Sequence, residues 1–191
     1  MRPRTLEPGP SFVMATVGGA VAGVLLLALL YGAPALGGPA VDVLGVTGGV
    51  FTSHPEGALA VGAIVYLLAA WLLVPALYVV VWPGLPGGMG LGGAVARGAL
   101  WGAALWGVIG GALLPLLGAL NRVPEVTSPG PLAVDLGGAG AAVLLGAHMA
   151  YGLALALVSH VGQGLAPLDA IGWEGYRRAE HRSSSPRGVP S

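Results

Sequence analysis

Polar and charged positions in this chain crowd into a few short stretches, and four long apolar runs lie between them. The runs cover about residues 12–32, 57–82, 94–117 and 137–159. A helix rises about 1.5 Å per residue, so roughly 20 residues cross a hydrocarbon core about 30 Å thick. Each run is long enough. None contains a charged residue except Arg97, expected in the first turn of the third. A membrane β-barrel would instead show strands of about ten residues with alternating polarity. Continuous apolar runs twice that length predict helices, whose backbone groups are satisfied internally in lipid. The predicted fold is all-α: a polytopic membrane protein with a four-transmembrane-helix bundle over residues 12–162. A short segment 1–11 precedes it, and an arginine-rich, partly disordered tail 163–191 follows.

Composition supports this reading. Apolar residues make up 55% of the chain and charged residues 8%, where a soluble domain carries about a quarter charged. Lipid is therefore the expected solvent and first partner. The formal net charge is zero, which gives no electrostatic footprint for a nucleic acid. With no cysteine and no lysine, disulfides, thiolate chemistry and Schiff bases are excluded.

The first run follows two arginines, as a signal peptide does, and Ala33-Pro34-Ala35 resembles a small-residue cleavage region. Its length exceeds the 7–15 residues usual for a signal core, which argues for a retained span. Arginine placement sets the orientation. Arg2, Arg4, Arg97, Arg177, Arg178, Arg182 and Arg187 fall on one side and only Arg122 on the other. The expectation is a cell (inner) membrane protein with both termini cytoplasmic. Tyr31, Trp82 and Trp173 fall near expected interfaces, where amphipathic rings settle. Residues 170–179 suggest a short interfacial helix, with the last ten disordered.

Helices in lipid associate through close packing or polar contacts. Small residues recur at four-residue spacing: Gly19 and Gly23; Ala99, Ala103, Gly107 and Gly111; Gly138, Ala142, Gly146, Ala150 and Ala154. These rows are the candidate packing faces. Pro75 and Pro115 each remove a helical hydrogen bond and predict kinks in the second and third helices. A faint repeat pairs Gly62-Ala63 and Tyr66 of the second helix with Gly146-Ala147 and Tyr151 of the fourth. It suggests two hairpins related by an axis along the membrane normal.

Candidate chemistry is sparse. His148 and Tyr151 lie mid-span, three residues apart and so on one helix face, and ionisable groups at that depth are often functional. The alternative is a hydrogen bond to a neighbouring helix. His148 and His160 share a helix about 18 Å apart, and His54 lies at an outer edge, so haem held between two histidines of one chain is not expected. No carboxylate falls within a span, and no catalytic, cofactor-binding or metal-ligating motif is present.

Three stretches carry a resemblance: Gly18-Gly19-Ala20-Val21-Ala22-Gly23; Arg97-Gly98-Ala99-Leu100-Trp101-Gly102 with Leu114-Pro115-Leu116-Leu117-Gly118; and Gly146-Ala147-His148-Met149-Ala150-Tyr151-Gly152. Over residues 12–162 the chain resembles small four-helix bacterial and archaeal membrane proteins of unknown function, similar to the YagU-type inner-membrane proteins. The resemblance implies topology and supplies no activity. The function expected from the residues is that of a non-enzymatic accessory subunit or homo-oligomer packing through its small-residue faces. The alternative is a small transporter or channel with a polar site at His148 and Tyr151.

Overall fold

The computed structural model describes residues 10–87 and 90–183, with side chains described to residue 162. It is an all-α bundle with no strand among the described residues. Four helical stretches are long and apolar enough to cross a membrane: Phe12–Leu36, Pro55–Gly84, Leu91–Leu120 and Pro131–Gly162. Their outer faces carry Val13, Val17, Val21, Leu73, Val80 and Val108, all exposed. So large an apolar surface needs lipid, and the protein is a multi-pass membrane protein.

Local chemistry sets the helix ends. Helix α1 (Phe12–Gly32) starts where the Ser11 hydroxyl accepts the Met14 N–H at 3.2 Å, an N-cap that satisfies one orphan donor. It ends past a short 3-10 turn at Gly37, whose φ of +80° is easy only for glycine. Helix α3 (Pro55–Leu68) opens with proline at its first position and Glu56 in its first turn, both favourable at a helix start.

The second and third spans share a device. Helix α3 runs through a π segment, Ala69–Leu73, into α4 (Val74–Val81). Helix α5 (Leu91–Leu105) runs through a longer one, Trp106–Leu113, into α6 (Leu114–Leu120). The Val74 N–H reaches Ala69 O and the Leu114 N–H reaches Ile109 O, both five residues back. The next residue in each case is proline, Pro75 and Pro115, which has no N–H to give. The expected kinks are thus local changes of hydrogen-bond register, and each leaves a carbonyl open.

Three further results differ from the sequence reading. Residues 33–56 are more than a turn: they contain a buried short helix, α2 (Val43–Gly48), capped by Asp42. Asp42 Oδ1 accepts from Gly45 N and from the Tyr31 hydroxyl, both at 2.8 Å, so α2 is tied to the end of α1. Gly48 and Gly62 let α2 lie directly on α3, since a Cβ at Gly48 would strike Ala58 O and one at Gly62 would strike Leu44 O. The fourth helix, α7 (Gly137–Ser183), continues past residue 159 and through 170–179 as one helix, in place of a separate interfacial one. Residues 184–191 lie outside the described part. Finally, Trp82, near the end of the second span, is buried against the protein, and Arg97 sits in the second turn of α5, not the first. The Arg97 guanidinium lies 4.2 Å from the Trp82 ring centre and donates to Gly87 O at 2.8 Å.

Around the bundle, α1 packs against α7 and against the second span, and α5 packs against α7. The second and third spans do not form a packed helix pair.

Candidate functional site

The gap between those two spans is the site. A cavity of about 300 Å³ occupies it. Leu26 and Leu30 of α1 form its back wall and Tyr66, Ala69 and Ala70 one flank. Leu105 and Ile109 form the other flank, and His148 and Tyr151 of α7 close the floor. Phe51, Leu73 and Leu113 also line it and are exposed on the outside of the bundle. The cavity therefore opens sideways, toward lipid.

Both ends of the gap are covered. At one end α2 packs on α3 and α6 and contributes Val43 and Thr47 to the lining. Asn121 holds the adjoining loop through Val126 O at 2.8 Å, and the Arg122 N–H bonds Gly49 O at 2.8 Å. At the other end, one turn beyond the cavity, Tyr78 meets the Trp82 ring at 5.4 Å and the Trp101 ring at 5.6 Å. Tyr78 is fully buried there. Edge-on and tilted ring contacts of this kind bridge the spans where their backbones do not meet.

The polar groups are few and placed by backbone geometry. His148 lies 11 residues into α7, about 16 Å along its axis and so deep in the membrane. Its Nδ1 is 2.8 Å from Leu144 O. A carbonyl only accepts, so Nδ1 carries the proton and Nε2 of the neutral ring is left as an acceptor. The Tyr151 hydroxyl donates to Ala70 O at 2.7 Å. That carbonyl is the one Pro75 leaves open, because a donor five residues on would be the missing proline N–H. Gly19 lets α1 reach the same point: a Cβ there would collide with Pro75 Cγ and lie 2.6 Å from Ala70 O. Gly19, Pro75, Ala70 and Tyr151 thus form one junction of three spans. Thr47 returns its hydroxyl to Val43 O at 2.6 Å. Tyr66 is different, for its hydroxyl is buried with no hydrogen-bond partner among the described residues.

The structure brings His148 and Tyr151 to one wall, as their spacing implies, and adds Tyr66, flagged in the sequence only as a repeat counterpart of Tyr151. Among the packing candidates, Gly19 and Gly23 are buried against the second span, where a Cβ on Gly23 would meet Ala70 Cβ at 3.2 Å. The rows on the third and fourth helices do not form the seam between those helices. Ala103, Gly107, Gly111, Gly138, Ala142 and Gly146 are exposed, with Ala99, Ala150 and Ala154 half-buried. The α5–α7 seam uses Gly98, Gly102 and Gly152, one face around. A Cβ on Gly102 would lie 2.5 Å from His148 O, and one on Gly98 would lie 2.7 Å from Gly152 O. Glycine is so frequent that four-residue rows arise on several faces, and spacing alone does not choose among them. Among the described residues no three His, Asp or Glu side chains converge. His54 precedes α3 at the α2 end, and His160 lies about three turns beyond His148 on α7.

Comparison of the chain with models of known protein families, with curated proteins and with solved structures finds no match.

Proposed function

We propose that the protein holds an apolar molecule drawn from the bilayer in the cavity between its second and third spans, as a membrane-embedded binding or transport component. The observation that carries this reading is the sideways opening at Phe51, Leu73 and Leu113 of a cavity whose two ends are covered. An aqueous pore needs a polar path across the membrane, and this lining has no charged side chain. An empty void near 300 Å³ would forfeit on the order of several kcal/mol of packing. A lipid-derived chain entering from the side restores those contacts. By the arginine distribution, we place both termini on the cytoplasmic side of the cell membrane, which puts α2 on the outer side.

A second reading rests on the exposed small residues. Ala103, Gly107 and Gly111 on the third span and Gly138, Ala142 and Gly146 on the fourth face away from the chain's own seams. Such faces suit the close approach of another membrane helix, from a second copy or a different protein. The two readings are compatible, as in an accessory subunit that presents a lipid-filled site to its assembly.

The test is native mass spectrometry of protein extracted gently from its own membrane. Wild type is expected to retain one apolar adduct per chain. Ala69→Phe, which fills the cavity from its flank, is expected to lose it while keeping the wild-type unfolding midpoint. A wild-type chain free of adduct, or an adduct undiminished in Ala69→Phe, refutes the cavity reading. The same spectra report a dimer or a hetero-complex by mass.

A further inference from the structure

The polar side chains around the cavity turn their protons elsewhere. The Tyr151 hydroxyl donates to Ala70 O, the Thr47 hydroxyl to Val43 O and His148 Nδ1–H to Leu144 O. The Tyr66 hydroxyl oxygen is sealed off from any water-sized space. Apart from the acceptor His148 Nε2, the lining offers no polar side-chain atom in want of a partner. It also holds no arginine, aspartate or glutamate, so a charged or zwitterionic head stays outside. What enters is hydrocarbon.

The proportions of the cavity are those of one chain. On the third span the lining runs from Leu105 to Leu117, and on the second from Val65 to Val74; at 1.5 Å per residue these are about 18 Å and about 14 Å. An extended carbon chain advances about 1.2 Å per bond, so about 12 to 16 carbons in single file reach from end to end. Volume gives a similar count by a separate route. The space of about 300 Å³ is about twice an engineered cavity that holds one benzene, hence room for about 12 carbons. The two counts agree only for a molecule one carbon chain wide. A branched or ring-shaped molecule with as many carbons is shorter and thicker, and leaves one end of the slot empty.

The slot also keeps to one leaflet. Leu105 lies at the middle of the span Leu91–Leu120, Leu117 near its outer end, and Val43 and Thr47 of α2 line that end of the cavity. Half of a hydrocarbon core about 30 Å thick is about 15 Å, the length of the slot. Phe51, exposed just past α2, lies at the same end of the side opening. We propose, on the binding reading above, that the cavity takes one unbranched acyl chain of a membrane lipid from the leaflet on the α2 side. The chain slides in sideways at its own depth, with its head outside near Phe51 and its end against His148 and Tyr151.

The test is photolabelling of the full-length protein in phosphatidylcholine vesicles. They contain one of two photoreactive phosphatidylcholines, with a diazirine either next to the head or at the chain end. Val43, His148 and Tyr151 are buried, so label reaches them from the cavity. The near-head probe is expected on Val43 and the chain-end probe on the peptide holding His148 and Tyr151. Ala69→Phe is expected to lose both labels while the exposed Val80 and Val108 keep theirs. A dodecanoyl lysophosphatidylcholine is expected to compete about tenfold better than its trimethylnonanoyl isomer, which has as many carbons but leaves a void. Reversed labels, or both probes at both ends, overturn the leaflet assignment, and equal competition overturns the single chain. Label on His148 and Tyr151 that survives Ala69→Phe did not come through the cavity and overturns both. No label at either end sinks the acyl chain; the cavity reading then stands if the native protein still carries its apolar adduct, and falls if it does not. Should Ala69→Phe not fold, the wild-type label positions and the competition decide.

Discussion

Replacing Gly102 by alanine should loosen the seam between the third and fourth helices, whereas the same change at Gly107, five residues on, should not. An alanine Cβ at Gly102 would lie 2.5 Å from His148 O and 2.9 Å from Met149 Cα, both backbone atoms. Ordinary heavy-atom contact needs about 3.5 Å, so the helices must part locally by about 1 Å. Overpacking of this kind costs about 1–3 kcal/mol, and a gap of 0.5–1 Å forfeits a quarter to a half of each neighbouring dispersion contact. Against this stands the gain in helix propensity from glycine to alanine, at most about 1 kcal/mol. The expected net destabilisation is about 2 kcal/mol. At Gly107 a Cβ meets nothing within 4 Å, so only the propensity gain remains and the change should be neutral or mildly stabilising. The assay is reversible unfolding in mixed detergent and SDS micelles, followed by the fluorescence of the five tryptophans, among them Trp101 next to Gly102. Equal effects of the two substitutions, or a larger loss at Gly107, would refute the helix register and return the packing face to the Ala99, Ala103, Gly107 row.

Tyr151→Phe should cost about 0.6 to 1.7 kcal/mol, the range for interhelical hydrogen bonds in lipid. In a Pro75→Ala background it should cost less, since a restored backbone N–H supplies Ala70 O with another donor; a double-mutant cycle in the same unfolding assay measures the coupling, and strict additivity would break the link. The orientation predicts that a cysteine at Ser53 is labelled by an impermeant maleimide added to intact cells and one at Gly84 is not. The opposite pattern would invert the protein.

Much of the fold was legible because membrane thickness leaves little choice: a residue count and a charge census locate four spans to within a few residues. His148 and Tyr151 were legible for a related reason, being among the few polar residues at mid-depth and three apart on one helix. Other features left weaker traces. Helix α2 hides among turn residues, although Asp42 before Val43, Leu44 and Val46 is a cap before an apolar patch. Tyr151's partner is a backbone carbonyl, which sequence does not display; its one trace is Pro75, five residues beyond Ala70. The α5–α7 register was illegible, because Gly98 with Gly102 and Ala103 with Gly107 are equally good small-residue pairs until the facing helix is known.

The cavity has a cause in side-chain size. Had the two hairpins suggested by the sequence packed as equivalents, the second–third seam would be as tight as the first–fourth. The first–fourth seam has the buried small residues Ala15, Gly18 and Ala22 on α1 and Ser159 on α7, and a Cβ on Gly18 would lie 3.0 Å from Leu155 O. Backbones approach there because nothing stands between them. Facing the gap, the second span presents Tyr66, Leu73 and Val74 and the third presents Leu105, Ile109 and Leu113. These are too bulky for helix contact, and they come from the two π segments and the turns beside them. The same spans are then fastened beyond the gap by Tyr78, Trp82, Arg97 and Trp101 at one end and by α2 at the other. Spacers in the middle with fasteners at both ends keep two helices apart without letting them separate, and so hold a lateral opening at fixed width in a fluid solvent.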